Sequence, residues 1–296
     1  MENTAMENMR TKTTRNSLIL LLTAAIWGMA FVSQSKGMDY MHPFTFNGVR
    51  SLIGAASILV YILISRKIAG DKAAPLDWKL NVKAGLLCGI FLTIASTLQQ
   101  FGIKYTSVGK AGFITTLYII FVPMFGIFLK KKVAPVVWAA AVMAAVGMYL
   151  LCMTESLRLG AGDIMVFLCA IAFAIQIMTV DHYAARIDGA VVSCIQFTVC
   201  GVVCCIGALI WGQPTFGQLQ EGLGALLYAG VLSCGVGYTL QIVGQKGLNP
   251  TVAALIMSLE SVIATISGWI AYKIGFLTTD QTLTARQIAG CVIVFA

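Results

Sequence analysis

Ten apolar stretches take up most of this 296-residue chain, near 17–35, 43–65, 80–101, 107–129, 134–153, 162–181, 190–212, 221–243, 250–272 and from 286 onward. A helix of about 17–25 apolar residues crosses the ~30 Å hydrocarbon layer of a bilayer. The pattern therefore predicts an all-α integral membrane protein with ten transmembrane helices. Composition points the same way: the chain is 58% hydrophobic and 11% charged, where soluble domains carry about 25% charged residues. The last stretch is short. Arg286 to Ala296 is eleven residues, which at about 1.5 Å per residue spans only part of the bilayer. Because Ile288 to Ala296 is apolar without interruption, the expectation is a tenth helix truncated by the end of the sequence. The tail Met1 to Asn16 carries Glu2 and Glu7 and is short, unlike a transit peptide. The stretch after it is too long for a signal peptide and lacks a small-residue cleavage site, so it reads as the first span.

Basic residues accumulate on the cytoplasmic side because they resist translocation. Arg10, Lys12 and Arg15 precede the first span; Arg66, Lys67, Lys72, Lys79 and Lys83 surround the second loop; Lys130, Lys131 and Lys132 fill the fourth; Arg186 and Lys246 lie in the sixth and eighth. The other set holds Lys36, Lys104, Lys110, Arg158, Lys273 and Arg286, with Arg50 inside the second span. Thirteen against seven of the 20 basic residues predict that both termini are cytoplasmic. The net charge of +8 then faces anionic lipid headgroups rather than nucleic acid. Connecting loops are short, so the chain has no room between spans for a soluble domain.

The second half repeats the first. Leu98, Gln99, Gly102 and Lys104 recur 142 residues on as Leu240, Gln241, Gly244 and Lys246. Ala111, Ile114, Leu117, Gly126 and Lys131 recur as Ala253, Ile256, Leu259, Gly268 and Lys273, giving nine identities in 34 positions. The first two spans of each half align at an offset of 146, which sets Ala24, Trp27, Gly28 and Arg50 opposite Ala170, Phe173, Ala174 and Gln196. Five spans is an odd number, so the second half enters the membrane from the opposite side. The expected organisation is a tail over 1–16, a five-helix repeat over 17–153 and an inverted five-helix repeat over 154–296. Inverted repeats of this kind give two conformations that open to opposite sides, and a period this long is unlike the 20–50 residues of solenoids.

The chain resembles the drug/metabolite transporter superfamily and, within it, the EamA-domain permeases. The resemblance rests on Trp27-Gly28 with Phe31-Val32, on Pro43 and Arg50, on Gly162-Asp163 with Ala172-Phe173-Ala174, and on Leu259-Glu260-Ser261-Val262. It covers both repeats. It implies a ten-helix permease, many relatives of which export amino acids and other small metabolites. Two departures stand out: Ser261 occupies a position where the family commonly has proline, and Tyr272-Lys273-Ile274-Gly275 replaces a small acidic motif. The first-repeat position matching Glu260 is Tyr118, with Pro123 a turn further on.

Candidate site residues follow from cost, since an ionisable group in mid-bilayer works against insertion by at least about 2.5–3.5 kcal/mol and must face protein or water. Glu260 is the one acidic residue well inside a span; it either binds a cationic group or a proton, or ties neighbouring helices. Arg50, seven residues after Pro43, either attracts a substrate carboxylate or snorkels to the surface along its apolar stem. Gln99, Gln100, Gln176, Gln196 and Gln241 sit in or at the ends of spans. Each is interhelical glue or part of a polar path, and as a set they favour the path. Trp27, Tyr118, Tyr238 and Trp269 are interface anchors, core, or walls of a pocket.

Other classes fit less well. The nine cysteines all lie in or beside apolar spans without a Cys-x-x-Cys pair near histidine, which suits helix packing; no cofactor or metal is expected. His42 and His182 lie at opposite ends of the bundle, and the sequence has neither an HExxH motif nor a nucleotide-binding loop. A channel would show a filter loop or a ring of like residues. The expectation is a secondary transporter of the cell membrane, monomeric or homodimeric, whose partners are a small-molecule substrate and the bilayer. It moves small metabolites, amino acids first, by alternating access in the export direction. Efflux of cationic drugs and nutrient uptake are the alternatives.

Overall fold

A computed structural model describes residues 2–70, 75–129, 135–152 and 160–295. Lys72, Lys130, Lys131, Lys132 and Arg158 lie outside the described residues, as does the junction that follows residue 153. The described residues are helical throughout, joined by short turns. Eight helices are long and apolar enough to cross a bilayer: α1 (Lys12–Gly37), α2 (Pro43–Ala69), α3 (Trp78–Ile103), α4 (Val108–Phe128), α6 (Ala161–Tyr183), α7 (Gly189–Gly212), α8 (Leu223–Gln245) and α9 (Pro250–Lys273). Two further helices, α5 (Pro135–Cys152) and α10 (Ala285–Phe295), occupy the places of the fifth and tenth spans and pack on each other.

Helix starts are encoded locally, and equivalently in the two halves. The side chain of His42 accepts from Phe44 N to cap α2, and Asp188, 146 residues on, accepts from Ala190 N and Val191 N to cap α7. Ser107 caps α4 and Asn249, 142 residues on, caps α9. Such caps satisfy backbone N–H groups that the first helical turn leaves without partners. Pro43 and Pro250 take the first helical position, where no N–H is missed.

Helix pairing shows the inverted symmetry directly. α3 packs on α6 and α7, and their counterparts α8, α1 and α2 pack in the same way. α9 packs on α1 as α4 packs on α6, while α2 with α7, α4 with α9 and α5 with α10 are pairs formed by counterparts. The pseudo-two-fold axis therefore passes through the α2–α7 and α4–α9 crossings.

Both α4 and α9 are broken at equivalent residues. α4 is interrupted at Leu117 (φ −58°, ψ −9°) and α9 at Ser258 and Leu259 (φ −59°, ψ −15° at Leu259). Pro123 follows in α4, but α9 breaks with Ser261 where the family commonly has proline. Serine hydroxyls take over there: Ser258 Oγ donates to Leu255 O at 2.7 Å and Ser261 Oγ to Ser258 O at 2.8 Å, a back-bonding that bends helices. α8 is widened instead, running as π-helix from Tyr228 to Gly237.

α1 crosses α9 at the break. A Cβ on Gly28 would lie 2.6 Å from Ile263 Cβ and 2.7 Å from the Glu260 carbonyl oxygen, so only glycine allows the contact. Gly28→Ala is expected to destabilise the protein by about 1–3 kcal/mol through overpacking and to move Glu260; a lowered thermal midpoint in detergent reads the first effect.

The bundle has two polar ends. At the end bearing His42, Lys110 Nζ meets Asp163 Oδ2 at 2.6 Å while Thr106 donates to the other oxygen at 2.9 Å, joining the starts of α4 and α6. Burial, and then the charge of Lys104, push the His42 imidazole below its usual pKa. At the end bearing Asp188, Asn16 Nδ2 donates to Lys246 O at 2.7 Å and Asp188 N to Asn81 Oδ1 at 2.9 Å.

Candidate functional site

The repeat symmetry converges on one internal cavity between α1, α2, α3, α4, α6, α7, α8 and α9. Its walls are largely made of repeat mates: Trp27 with Phe173, Phe31 with Ile177, Leu92 with Cys234, Ser96 with Tyr238, Gln99 with Gln241, and Tyr118 with Glu260. Helical spacing explains the choice. Trp27, Phe31 and Gln34 recur at i, i+4 and i+7 on one face of α1, as a single helical stripe must.

The central contact is between mates. Tyr118 Oη donates to Glu260 Oε1 at 3.0 Å, across 142 residues of sequence. Each residue opens the second segment of its broken helix, so the breaks bring the two side chains to the axis. Glu260 is 3% exposed and Tyr118 2%.

Arg50 enters the cavity from α2 at 5% exposure. It does not snorkel. Its Nε donates to Asn47 Oδ1 at 3.0 Å, and its guanidinium lies over the Phe46 ring at 5.5 Å. Asn47 is held in turn: its Nδ2 donates to Ser96 Oγ at 3.0 Å and points at Cys204 Sγ at 3.3 Å. Among the described residues no carboxylate forms an ion pair with Arg50. The only charged side chains in the cavity wall are therefore one cation and one carboxyl group from different helices.

Amides complete the wall. Gln241 Nε2 donates to Gln176 Oε1 at 3.2 Å, and Gln176 Nε2 to Gln196 Oε1 at 3.5 Å, a donor-to-acceptor chain through α8, α6 and α7. Gln99 Nε2 donates to Thr115 Oγ1 at 3.1 Å. Trp27 Nε1, Gln34 Oε1 and Gln241 Oε1 belong to wall residues and have no partner. Buried polar atoms are nearly always paired; Trp27 Nε1 is packed against Gly237 of α8, while the two amide oxygens are left unpaired. The Trp27 and Tyr238 rings meet at a tilt of 50° with centroids 4.5 Å apart, and Tyr238 meets Phe197 edge-on at 5.0 Å.

Eight of the expected residues, Trp27, Arg50, Gln99, Tyr118, Gln176, Tyr238, Gln241 and Glu260, thus share one wall. Gln196 stands behind it, bonded to Gln176, and Gln100 is buried elsewhere, donating to Gln34 O at 3.2 Å. Phe173, Ser96 and Asn47 escaped the sequence reading. The first two were findable as repeat mates of Trp27 and Tyr238; Asn47 carries no signal beyond lying one turn from Arg50. Asn47→Ala is expected to free Arg50 Nε and to lose about 1–3 kcal/mol of hydrogen-bonded support, read as a raised KM at unchanged protein level.

The open volume at the centre is about 30 Å³, space for a water or two. A larger molecule fits there only when the helices move apart.

A solved crystal structure of a protein superposes with a TM-score of 0.72 at 16% identity, covering 95% of this chain and 94% of that one; it shares the fold. An uncharacterized transporter of Archaeoglobus fulgidus is 28% identical over 281 residues, which are 93% of this chain and 83% of the relative. The uncharacterized transporter YwfM of Bacillus subtilis is 27% identical over 85% of this chain and 84% of its own length. The EamA-like transporter family matches twice, over residues 15–153 and 160–296. With both five-helix halves accounted for in this way, the chain belongs to the EamA-like transporter family and is a multi-pass membrane transporter.

Proposed function

We propose that the protein is a secondary transporter of the cytoplasmic membrane that exports or exchanges small zwitterionic metabolites, amino acids first. The observation that carries this reading is the cavity wall's guanidinium, Arg50, and carboxyl group, Glu260, set among aromatic rings and unpaired amide atoms. Arg50, with no carboxylate partner, suits a substrate carboxylate, which guanidinium binds in two-point fashion. Glu260 suits the ammonium group or a proton. A buried guanidinium repels cations, which disfavours cationic drugs as substrates.

Transport proceeds by rocking of the two halves about the axis, with the breaks in α4 and α9 as the deformable points. The Asp188 end faces the cytoplasm, because Arg66, Arg186 and Lys246 gather there and basic residues favour that side. The test is a screen of metabolite export and uptake in cells expressing the full chain, followed by counterflow in vesicles. Accumulation of amino acids against their gradient outside the cells is the expected result. Uncoupled ionic conductance at rates beyond any carrier would replace the reading with a channel.

A further inference from the structure

The two ends of the bundle differ where the inverted repeat makes them equivalent. At the Asp188 end, α2, α3, α7 and α8 enclose an open pocket of about 540 Å³ whose wall includes Ser65, Asp188, Ala190 and Val243. Adding or subtracting the repeat offsets gives the matching positions at the other end: Trp211, His42, Phe44 and Phe101. Those four side chains form one aromatic cluster. His42 lies 5.8 Å from Phe44 and 5.5 Å from Phe101, and Phe44 lies 5.1 Å from Phe101 and 5.5 Å from Trp211, centroid to centroid. The seam that stands open at one end is filled with rings at the other.

We propose that this cluster is the gate of the His42 end, and that its rings bias the transporter toward the state closed there and open at the Asp188 end. The proposal rests on the transport reading above. The four helices of the seam also supply much of the cavity wall, so a route from either end to the cavity runs along it. Rocking alone would leave each end open in turn. Here the residue types themselves differ: closing the Asp188 end brings together Ala190, Val243 and Ser65 where the other end has Phe44, Phe101 and Trp211, and Tyr61 alone does not rebuild a cluster of four rings there. The two closed states are therefore unequal, and the protein rests ready to take substrate from the Asp188 side. Had Trp211 been only an interfacial anchor, its partners need not have been the rings of α2 and α3.

The native cysteines report the gate. Cys200 and Cys204 are fully buried just inside it: Cys204 meets Asn47 one turn after Phe44, and Thr97 one turn before Phe101. At the other end half-buried Cys194, whose thiol points at Ala55 O, lies one turn from Ala190 in the pocket wall. The probe is a membrane-impermeant maleimide, applied to intact cells and to inside-out vesicles, with Cys200→Ser and Cys204→Ser controls defining the signal. Phe101→Val with Trp211→Ser removes three of the four ring contacts. It is expected to speed external labelling of Cys200 and Cys204 by about tenfold or more. Labelling within about twofold of the unaltered protein overturns the gate. Ala190→Phe with Val243→Phe builds rings at the open end, independently of whether the first variant folds. It is expected to slow labelling of Cys194 from the cytoplasmic face by about tenfold, and unchanged labelling again overturns the proposal. Because labelling needs no substrate, a gate without transported metabolites sinks the transport reading alone, and transport with unaltered labelling sinks the gate alone.

Discussion

Glu260→Gln is expected to abolish uphill transport and to flatten its pH dependence while leaving the protein folded. The substitution keeps the shape and still offers an oxygen to Tyr118 Oη, which sits 3.0 Å from Glu260 Oε1. What it removes is the ability to hold a proton or to balance an ammonium group. Measuring exchange and accumulation separately in vesicles distinguishes the two roles. If Glu260 carries the proton, counterflow persists while accumulation against a gradient stops. If it reads the substrate ammonium, counterflow itself falls by about 10- to 100-fold, the value of a hydrogen bond to a charged group. Transport with its full rate and full pH dependence removes Glu260 from both roles. Tyr118→Phe serves as the partner experiment. It deletes the one donor to Oε1 and keeps the ring, so its effect should be smaller than that of Glu260→Gln, and a double variant should be non-additive because the two side chains act through one contact.

Arg50→Gln places at position 50 the residue that its repeat mate, Gln196, already has. The wall then contains no cation. Amino-acid export is expected to show a KM raised by about 100-fold, since losing a hydrogen-bonded charge partner costs about 2–5 kcal/mol. Amines or esters that lack a carboxylate should be nearly unaffected, and that selectivity is the decisive measurement. Arg50→Lys should recover little: an ammonium is a point charge without the planar fork, and it would forfeit the bond to Asn47 Oδ1. An equal loss for carboxylate and carboxylate-free substrates would show that Arg50 supports the fold rather than reading substrate.

Much of this architecture is legible in the sequence because lipid makes the rules strict. Span length and polarity mark the helices, and the recurrence of Gln99 as Gln241 and of Leu117 as Leu259 marks the symmetry. The helix caps Ser107, Asp188 and Asn249 are of the residue types that caps prefer, whereas His42 is not. What could not be read is how a break re-aims a side chain. Tyr118 and Glu260 looked like a failed match within the repeat; only the interruptions at Leu117 and Leu259, driven partly by serine back-bonding, reveal that the mismatch is a hydrogen bond. Arg50 was ambiguous for a related reason. A long basic side chain near a helix start has water within reach, and its burial depends on Asn47, Ser96 and Cys204, which come from three helices. The aromatic cluster was equally hidden, since His42, Phe44, Phe101 and Trp211 are unremarkable until the repeat offsets put small residues against them.

The Tyr118–Glu260 contact also has a historical side. A homodimer of a five-helix unit can set a residue on its two-fold axis only against its own copy. Two glutamates there would have to share one proton, and two tyrosines would have to pair one hydroxyl as donor with the other as acceptor. Donor and acceptor can differ in residue type only when the two units have separate sequences that are free to diverge. This hydrogen bond is thus one that two identical copies could not have made, and it places the present site after the two halves diverged.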